Sequence, residues 1–277
     1  KLAVDRFLSE FCGWNGAGNF DVSAAQPLNS RTELRGQFEF DTSSQTDGEL
    51  PCLISTRYPT SDAVIADVIA TADPYLADPT GVQDSTEAIR KALNDCAAKG
   101  GGTVWLPEGK YLITSTIDIP SFCTLRGDWN DPDLRKEGES YGTVLLVKMT
   151  DPASVLFTLT ASSGAYGLTL YYPEQSLDAV KPYGYAFYIT SGMLSTIQDC
   201  TVLNGYQGIG MQEHHEMLTV ENFKGSFLHS AIDIFNSSDV GTIKNVSVCP
   251  DYWANAGAEY GAPDLASWKA YTRDNTV

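Results

Sequence analysis

The sequence predicts an all-β fold, a stack of parallel β coils closed at its start by an α-helix, and three observations carry that prediction. The first is a repeat. Ile197, Val220 and Ile243 lie 23 residues apart, as do Cys200, Phe223 and Val246, and the pairs Ile209–Ile232 and Met211–Ile234 keep the same interval. Asp199, Asn222 and Asn245 share it. A fixed period of this length sets equivalent residues directly above one another. The apolar sets then merge into one core, and the polar set becomes a ladder whose asparagines hold a tight corner. The second observation is a single amphipathic helix ahead of the repeat. The third is a run of short strand-like segments after that helix, none of which buries itself alone.

Residues 1–61 differ in character from the rest. Gly13, Gly16 and Gly18 stand among Ser and Asn, Val4 to Phe11 reads as a short helix, Glu33 to Phe40 alternates as a strand, and 41–49 is a polar loop. We read them as an N-terminal segment packed on a second domain, 62–277, which opens with the apolar, partly β-branched run Asp62 to Ile69. Asp84-Ser85-Thr86-Glu87 forms a capping box, Asp84 accepting from a first-turn N–H and Glu87 reaching back. Ile89, Ala92, Leu93 and Cys96 make one apolar helix face, and Gly100-Gly101-Gly102 ends the helix, which is expected over Ser85 to Lys99. Four strand runs follow, at Thr103–Pro107, Tyr111–Thr114, Thr116–Ile119 and Cys123–Gly127. Ala165, Leu168 and Leu170 fall onto Ile197, Cys200 and Val202 only if nine extra residues loop out, and Glu174 to Lys181 supplies them. Asn130 to Gly142 is a second polar insertion; loops of this length usually overhang a functional face. After Val248 the register lapses and Leu265 to Tyr271 supports at most two helical turns, so further coils or a second chain are expected to complete the open stack.

Composition narrows the function classes. Lys and Arg number 18 against 35 Asp and Glu, and the net charge of −17 disfavours nucleic acid or an anionic membrane as partner. The same charge makes a polyanionic glycan awkward unless a divalent cation bridges it. No run reaches the length of a membrane span. The six cysteines show no Cys-x-x-Cys spacing, which argues against zinc or a redox motif and leaves most of them as core thiols. A Cys12–Cys52 disulfide is open to the chain if it is secreted. Asn236-Ser237-Ser238 and Asn245-Val246-Ser247 are formal glycosylation sequons, read here as turn residues, with Asn245 a buried ladder member.

The run Asp78 to Ile89, followed by Gly101-Gly102-Thr103-Val104-Trp105-Leu106-Pro107-Glu108-Gly109-Lys110-Tyr111, resembles the opening of pectate-lyase-superfamily domains, and the likeness extends over about residues 62 to 250. The resemblance implies a right-handed parallel β-helix whose N-terminal end is plugged by the amphipathic helix. It implies carbohydrate chemistry less sharply, because that family includes lyases, glycoside hydrolases and phage tailspikes. His229-Ser230-Ala231-Ile232-Asp233-Ile234 is similar to the Asp-Gly-Ile-Asp strand of polygalacturonase-like hydrolases, with Asp233 at the second Asp and Ser230 departing at the first. The clustered Asp ligands by which pectate lyases hold Ca²⁺ are not visible.

Strand alternation places the candidate chemistry. With Ile232 and Ile234 inward, Asp233 faces out, beneath Gly210, where a sugar ring has room. The corner above reads Glu213-His214-His215-Glu216. Asp233 and Glu213 are therefore the candidate catalytic carboxylates, with His229 their acid/base or sugar-binding partner, since glycoside hydrolysis needs one carboxyl as acid and one as base or nucleophile. Gln212 and His214 beside them, and Tyr252 and Trp253 after Pro250-Asp251, are the candidate sugar contacts, with Asp251 a spare acid. Two plainer readings stay open: the corner as a solvated polar turn and the aromatic pair as packing. Adjacent histidines on a turn diverge, so no metal site is expected, and no cofactor is called for. The sequence thus points to an extracellular or cell-surface glycoside hydrolase acting on a neutral or mostly neutral oligo- or polysaccharide. The alternatives are a polysaccharide lyase or a non-catalytic glycan-binding, tailspike-like β-helix.

Overall fold

Among the described residues three parallel ladders stack coil upon coil, and from the second coil to Ile234 the chain visits them in the same order. The structure is a computed structural model that describes residues 50–58 and 62–275. The expected helix at Val4–Phe11, the strand at Glu33–Phe40 and Cys12 lie outside the described residues, and Cys52 is a free thiol instead of half of a disulfide. Face I stacks Val68–Ile69, Gly102–Leu106, Cys123–Gly127, Gly164–Tyr166, the first part of Thr196–Met211, the first part of Thr219–Ile234, and Thr242–Lys244. Face II stacks Thr80–Asp84, Gly109–Ile113, Thr143–Val147, Thr169–Tyr171, the middle of the two long strands, and Ser247–Val248. Face III stacks Ile117–Ile119, Phe157–Leu159, Tyr185–Ile189 and the ends of the two long strands. This is the right-handed parallel β-helix.

The 23-residue interval is the rise of one coil. Val68, Val104, Leu125, Ala165, Ile197, Val220 and Ile243 are partners from rung to rung in one inward column of face I. Ile117, Phe157, Phe187, Ile209 and Ile232 form its counterpart on face III. Ala165 pairs with Ile197 and Leu170 with Val202, so the extra residues of that coil do leave through the loop after Tyr172. In the first coil a helix, α1 (Thr86–Ala98), follows Thr80–Asp84 where later coils carry a face III strand, and it buries Ile89, Ala92, Leu93 and Cys96 against the core. Its N-terminus departs from the expected box. Asp84 accepts from the N–H and hydroxyl of Thr86 and from the Thr114 hydroxyl, while Glu87 pairs with Arg90 instead of reaching back. Asp84 thereby ties the helix to the next coil. At the other end Gly102 has φ +139°, and a Cβ there would sit 2.3 Å from the Asp67 carboxylate, so no other residue fits.

The polar ladder is present at the corner between faces I and II. Asp199, Asn222 and Asn245 have φ of 54°, 53° and 54°, the left-handed region that Asn and Asp tolerate best. Asn222 Nδ2 donates to Asp199 Oδ1 at 2.6 Å, and Asn245 Nδ2 to Asn222 Oδ1 at 3.0 Å. Asn245 is exposed instead of buried, because no coil lies above it among the described residues. Asp199 is buried, and that burial raises its carboxyl pKa against the lowering pull of the Asn222 amide and the Arg126 charge. A carboxyl whose pKa rises on folding favours the fold when protonated; the contribution holds below the unfolded value and is lost as pH climbs through the folded one. Asp199→Asn is therefore expected to raise stability at pH 7 and to do so much less near pH 3. Thermal unfolding at both pH values checks this, and an equal gain at both would remove titration as the cause.

After Val248 the chain leaves the stack. Helix α2 (Asp251–Ala254), a 3-10 turn (Ala258–Tyr260) and helix α3 (Leu265–Asn275), longer than the two turns expected, form the remainder. Trp253, Ala256, Tyr260 and Trp268 from this segment bury Val144, Tyr171, Leu203 and Leu228. These helices therefore lie along the outer side of face II and do not seal the last coil, where Ile243 and Val248 are each 53% exposed. Among the described residues no helix is long and apolar enough to cross a membrane.

Candidate functional site on face III

The outward column of face III runs Asp118, Thr158, Tyr188, Gly210, Asp233, one residue per coil. Rungs are about 4.8 Å apart, so Asp118 and Asp233 stand about 19 Å from each other and cannot act on one bond. Asp233, half-buried, is the chemical centre of the upper end. Its Oδ2 accepts from the Ser230 hydroxyl at 2.5 Å and from the Tyr185 phenol at 3.1 Å. The Tyr185 phenol pKa is raised, first by burial and then by the Asp233 charge, with Gln212 opposing as a hydrogen-bond partner. Ser230, the residue that departs from the polygalacturonase-like strand, is thus a hydroxyl partner of the carboxylate.

The room expected above Asp233, at Gly210, is occupied. A Cβ at Gly210 would lie 2.6–2.7 Å from the Tyr185 ring, so the missing side chain is what lets that ring lie against the sheet. Tyr185 also approaches Tyr188 at 6.0 Å between centroids. A glycine inside a strand signals such a close approach, but nothing in the 23-residue interval says which ring makes it, and Tyr185 was not singled out from the sequence for that reason.

The other candidates each have partners of their own. His229 is exposed and stacks on Tyr206 at 5.0 Å and 11°. Glu213 is exposed at the following corner, where its Oε2 accepts from the Ser191 N–H at 3.0 Å. Among the described residues, Asp233 hydrogen-bonds to neither of them. Gln212 and His214 are exposed at the same corner, and His214 Nε2 meets the Ser238 hydroxyl at 2.8 Å. His215 turns inward: it is fully buried, with Nδ1 on the Thr190 carbonyl and Nε2 accepting from Ser195 N–H, a structural role. Among the described residues no group of three or more His, Cys, Asp or Glu could hold a metal ion.

Two assignments are corrected. Trp253 is 1% exposed, bonded through Nε1 to the Tyr260 carbonyl and packed edge-on to Trp268, so it offers no face to a sugar. Tyr252 belongs to another surface, its phenol bonded to Asp133 and Ser247. There the 130–142 insertion and the C-terminal segment enclose a cleft of about 950 Å³. Asp133, Arg135, Glu137, Asp251 and Glu259 line it, and Arg135 bridges its two walls by stacking on Tyr141 and donating to the Asn255 carbonyl. None of the lining residues belongs to face III.

Comparison with known proteins gives three findings. Residues 71–154 match the family described as rhamnogalacturonase A/epimerase, pectate lyase-like. Mannuronan C5-epimerase AlgE1 of Azotobacter vinelandii is 29% identical over 133 residues, covering 45% of this chain and 9% of that protein. The uncharacterized protein YclG of Bacillus subtilis (strain 168) is 30% identical over 105 residues, 37% of this chain and 16% of that protein. The matches thus span less than a fifth of the curated relatives' own length. Among solved structures, the A-module of the Azotobacter vinelandii mannuronan C-5 epimerase AlgE6 is similar at a TM-score of 0.44 and 17% identity, over 66% of this chain and 55% of that one.

Proposed function

We infer, from the premise that this chain is a pectate-lyase-like right-handed β-helix, that it acts on a neutral or mostly neutral glycan laid across face III, with Asp233 exchanging a proton with the bound sugar. The observation that carries this reading is the Asp233 carboxylate, half-buried on the outer face of the sheet and oriented by the Ser230 and Tyr185 hydroxyls. A carboxylate so placed is rigid enough to meet a glycosidic oxygen, and the Tyr185 and Tyr188 rings beside it suit the apolar face of a sugar. The net charge of −17 argues against a free polyuronate. In the hydrolytic version, one carboxyl protonates the leaving oxygen as the glycosidic C–O bond breaks, and a second activates the water that supplies the new hydroxyl. Glu213 is the group in this corner for the second role. Such a substrate is met outside the cell or at its surface, where we place the protein.

A second reading, glycan binding without cleavage, is favoured by the engagement of the Glu213 carboxylate with the Ser191 N–H, which occupies the group needed as the second carboxylate. A glycan panel scored for both binding and release of reducing ends decides between them. Asp233→Asn is expected to abolish release while lowering stability by about 1 kcal/mol or less, the size of a lost hydrogen bond. Wild-type binding with no release would leave the binding reading standing, and full release by the variant would remove Asp233 from the chemistry.

A further inference from the structure

The outer side of face I carries two side-chain columns that the face III site does not use. One is Thr103, Thr124, Gly164, Thr196, Thr219 and Thr242, a threonine on every coil but one. The other runs Trp105, Arg126, Tyr166, Gln198, Glu221, Lys244. The gap in the threonine column has a cause: a Cβ at Gly164 would lie 2.5 Å from the Tyr166 ring and 3.2 Å from the Thr124 hydroxyl. Tyr166 therefore leans across the sheet over a glycine, as Tyr185 does on face III. Beside it Arg126 is only 4% exposed. Its two terminal nitrogens donate to the Asp62 carboxylate at 3.0 and 3.3 Å, and its guanidinium lies 5.6 Å from the Tyr166 ring centre. Its Nε is buried and has no hydrogen-bond partner. These groups, with Thr103, Thr124 and Gln198, line a recess of about 280 Å³.

We propose that this recess on face I is a binding site for a single uncharged sugar ring, separate from the face III site. An aromatic ring laid flat beside a fixed fan of donors and acceptors is the arrangement a polyol requires: its C–H face meets the ring and its hydroxyls meet the polar rim. The rim supplies both kinds of group, since the Gln198 amide donates, the Asp62 carboxylate that Arg126 fixes in place accepts, and the threonine hydroxyls do either. The volume is near the lower bound of small-molecule sites, about 300 Å³, which fits one ring and not a chain. Charge selects the class of ligand. Arg126 is already matched by Asp62 and Glu221 by Lys244, so among the described residues of the rim no cation is left over to hold an anionic ligand, and the Asp199 carboxyl lies close to Arg126. The proposal shares with the face III reading only the ligand class, and it stands if Asp233 proves inert.

The test uses the full chain and methyl glycosides of glucose, galactose and mannose, titrated by NMR at millimolar concentration, with galacturonate as the anionic control. At least one methyl glycoside is expected to bind, and galacturonate at least 10-fold more weakly. Tyr166→Ala and Gln198→Ala are each expected to weaken binding about 10-fold, the size of one lost sugar contact. Asp233→Asn is expected to leave it unchanged. Circular dichroism and Tm show whether the Tyr166 variant is folded, and Gln198→Ala carries the test if it is not. Absence of binding by every methyl glycoside overturns the site. So does binding that survives both face I variants, and if Asp233→Asn abolishes it the ligand sits on face III alone.

Discussion

Phe187→Ala is expected to cost about 3–5 kcal/mol, the upper range for truncating a buried aromatic. Phe187 is fully buried on the inner side of face III, stacked on Phe157 at 5.5 Å and 18° and edge-on to Phe223 at 6.2 Å and 77°. Its backbone pairs with Phe157 below and Ile209 above. Those ladders fix the rise between coils, so the rungs cannot slide together over the cavity that alanine would leave. A site that cannot collapse loses both the transfer free energy and the contacts of the lining. Urea unfolding should show a lower midpoint with an unchanged slope, because the buried surface elsewhere stays the same. A loss under about 1 kcal/mol would mean the coils do rearrange and that the stack is softer than its register implies.

Trp253→Ala is expected to be as costly, about 3–5 kcal/mol, but to act locally. Trp253 joins three parts of the chain: its N–H donates to the Ser226 hydroxyl, its indole N–H to the Tyr260 carbonyl, and its ring meets Trp268 edge-on at 5.5 Å. Removing it opens the cluster on face II while leaving the inner columns of the stack intact. Limited proteolysis followed by mass mapping should then cut first between residues 249 and 275, with the β-helix persisting as a protected core. Simultaneous loss of protection everywhere would show that the C-terminal helices and the coils unfold as one unit. Lys110–Glu259 and the Arg135 contact to the Asn255 carbonyl are exposed and individually weak, which leaves the Tyr252 bonds to Asp133 and Ser247 and the edge contacts of Tyr260 with Tyr141 and Tyr171 to hold the segment.

How much of this was legible in the sequence follows from which contacts share a period. Ile197, Val220 and Ile243, the Asp199–Asn222–Asn245 corner and the nine-residue offset of Ala165 are set by the interval between coils, and each was readable from spacing alone. Helix α1 was readable because its apolar face is written locally. Trp253 was not, because its partners Tyr260, Trp268 and Ser226 obey no repeat; the dipeptide Tyr252-Trp253 looks the same whether it stacks a sugar or a second tryptophan. The same applies to Glu87, whose choice of Arg90 over the helix N-terminus is a competition between two local partners. On face III the outward direction of Asp233 was legible from alternation, whereas its engagement by Ser230 and Tyr185 depends on Gly210 leaving space for a ring two coils' worth of sequence away. Glu213 was grouped with Asp233 by coil register and His229 by closeness in the chain; neither signal says that Glu213 takes the Ser191 N–H or that His229 stacks on Tyr206.

The ladder of Asp199, Asn222 and Asn245 has a consequence for how such a molecule can change. Because the side-chain amides, together with the strand pairing, meter each coil at one corner, the remaining corners carry no information about length. The coil from Gly164 to Ile189 absorbs its surplus between faces II and III, away from the ladder corner, yet the rungs on either side stay in phase. An inserted segment at such a corner is a local edit, invisible one turn later. A single-residue deletion between Ile197 and Val202 would instead throw the vertical alignment out of step for every turn above it. The molecule is thus divided, like a ruled page, into a margin that must not shift and lines of free length, and new surface chemistry is cheapest to write in the latter.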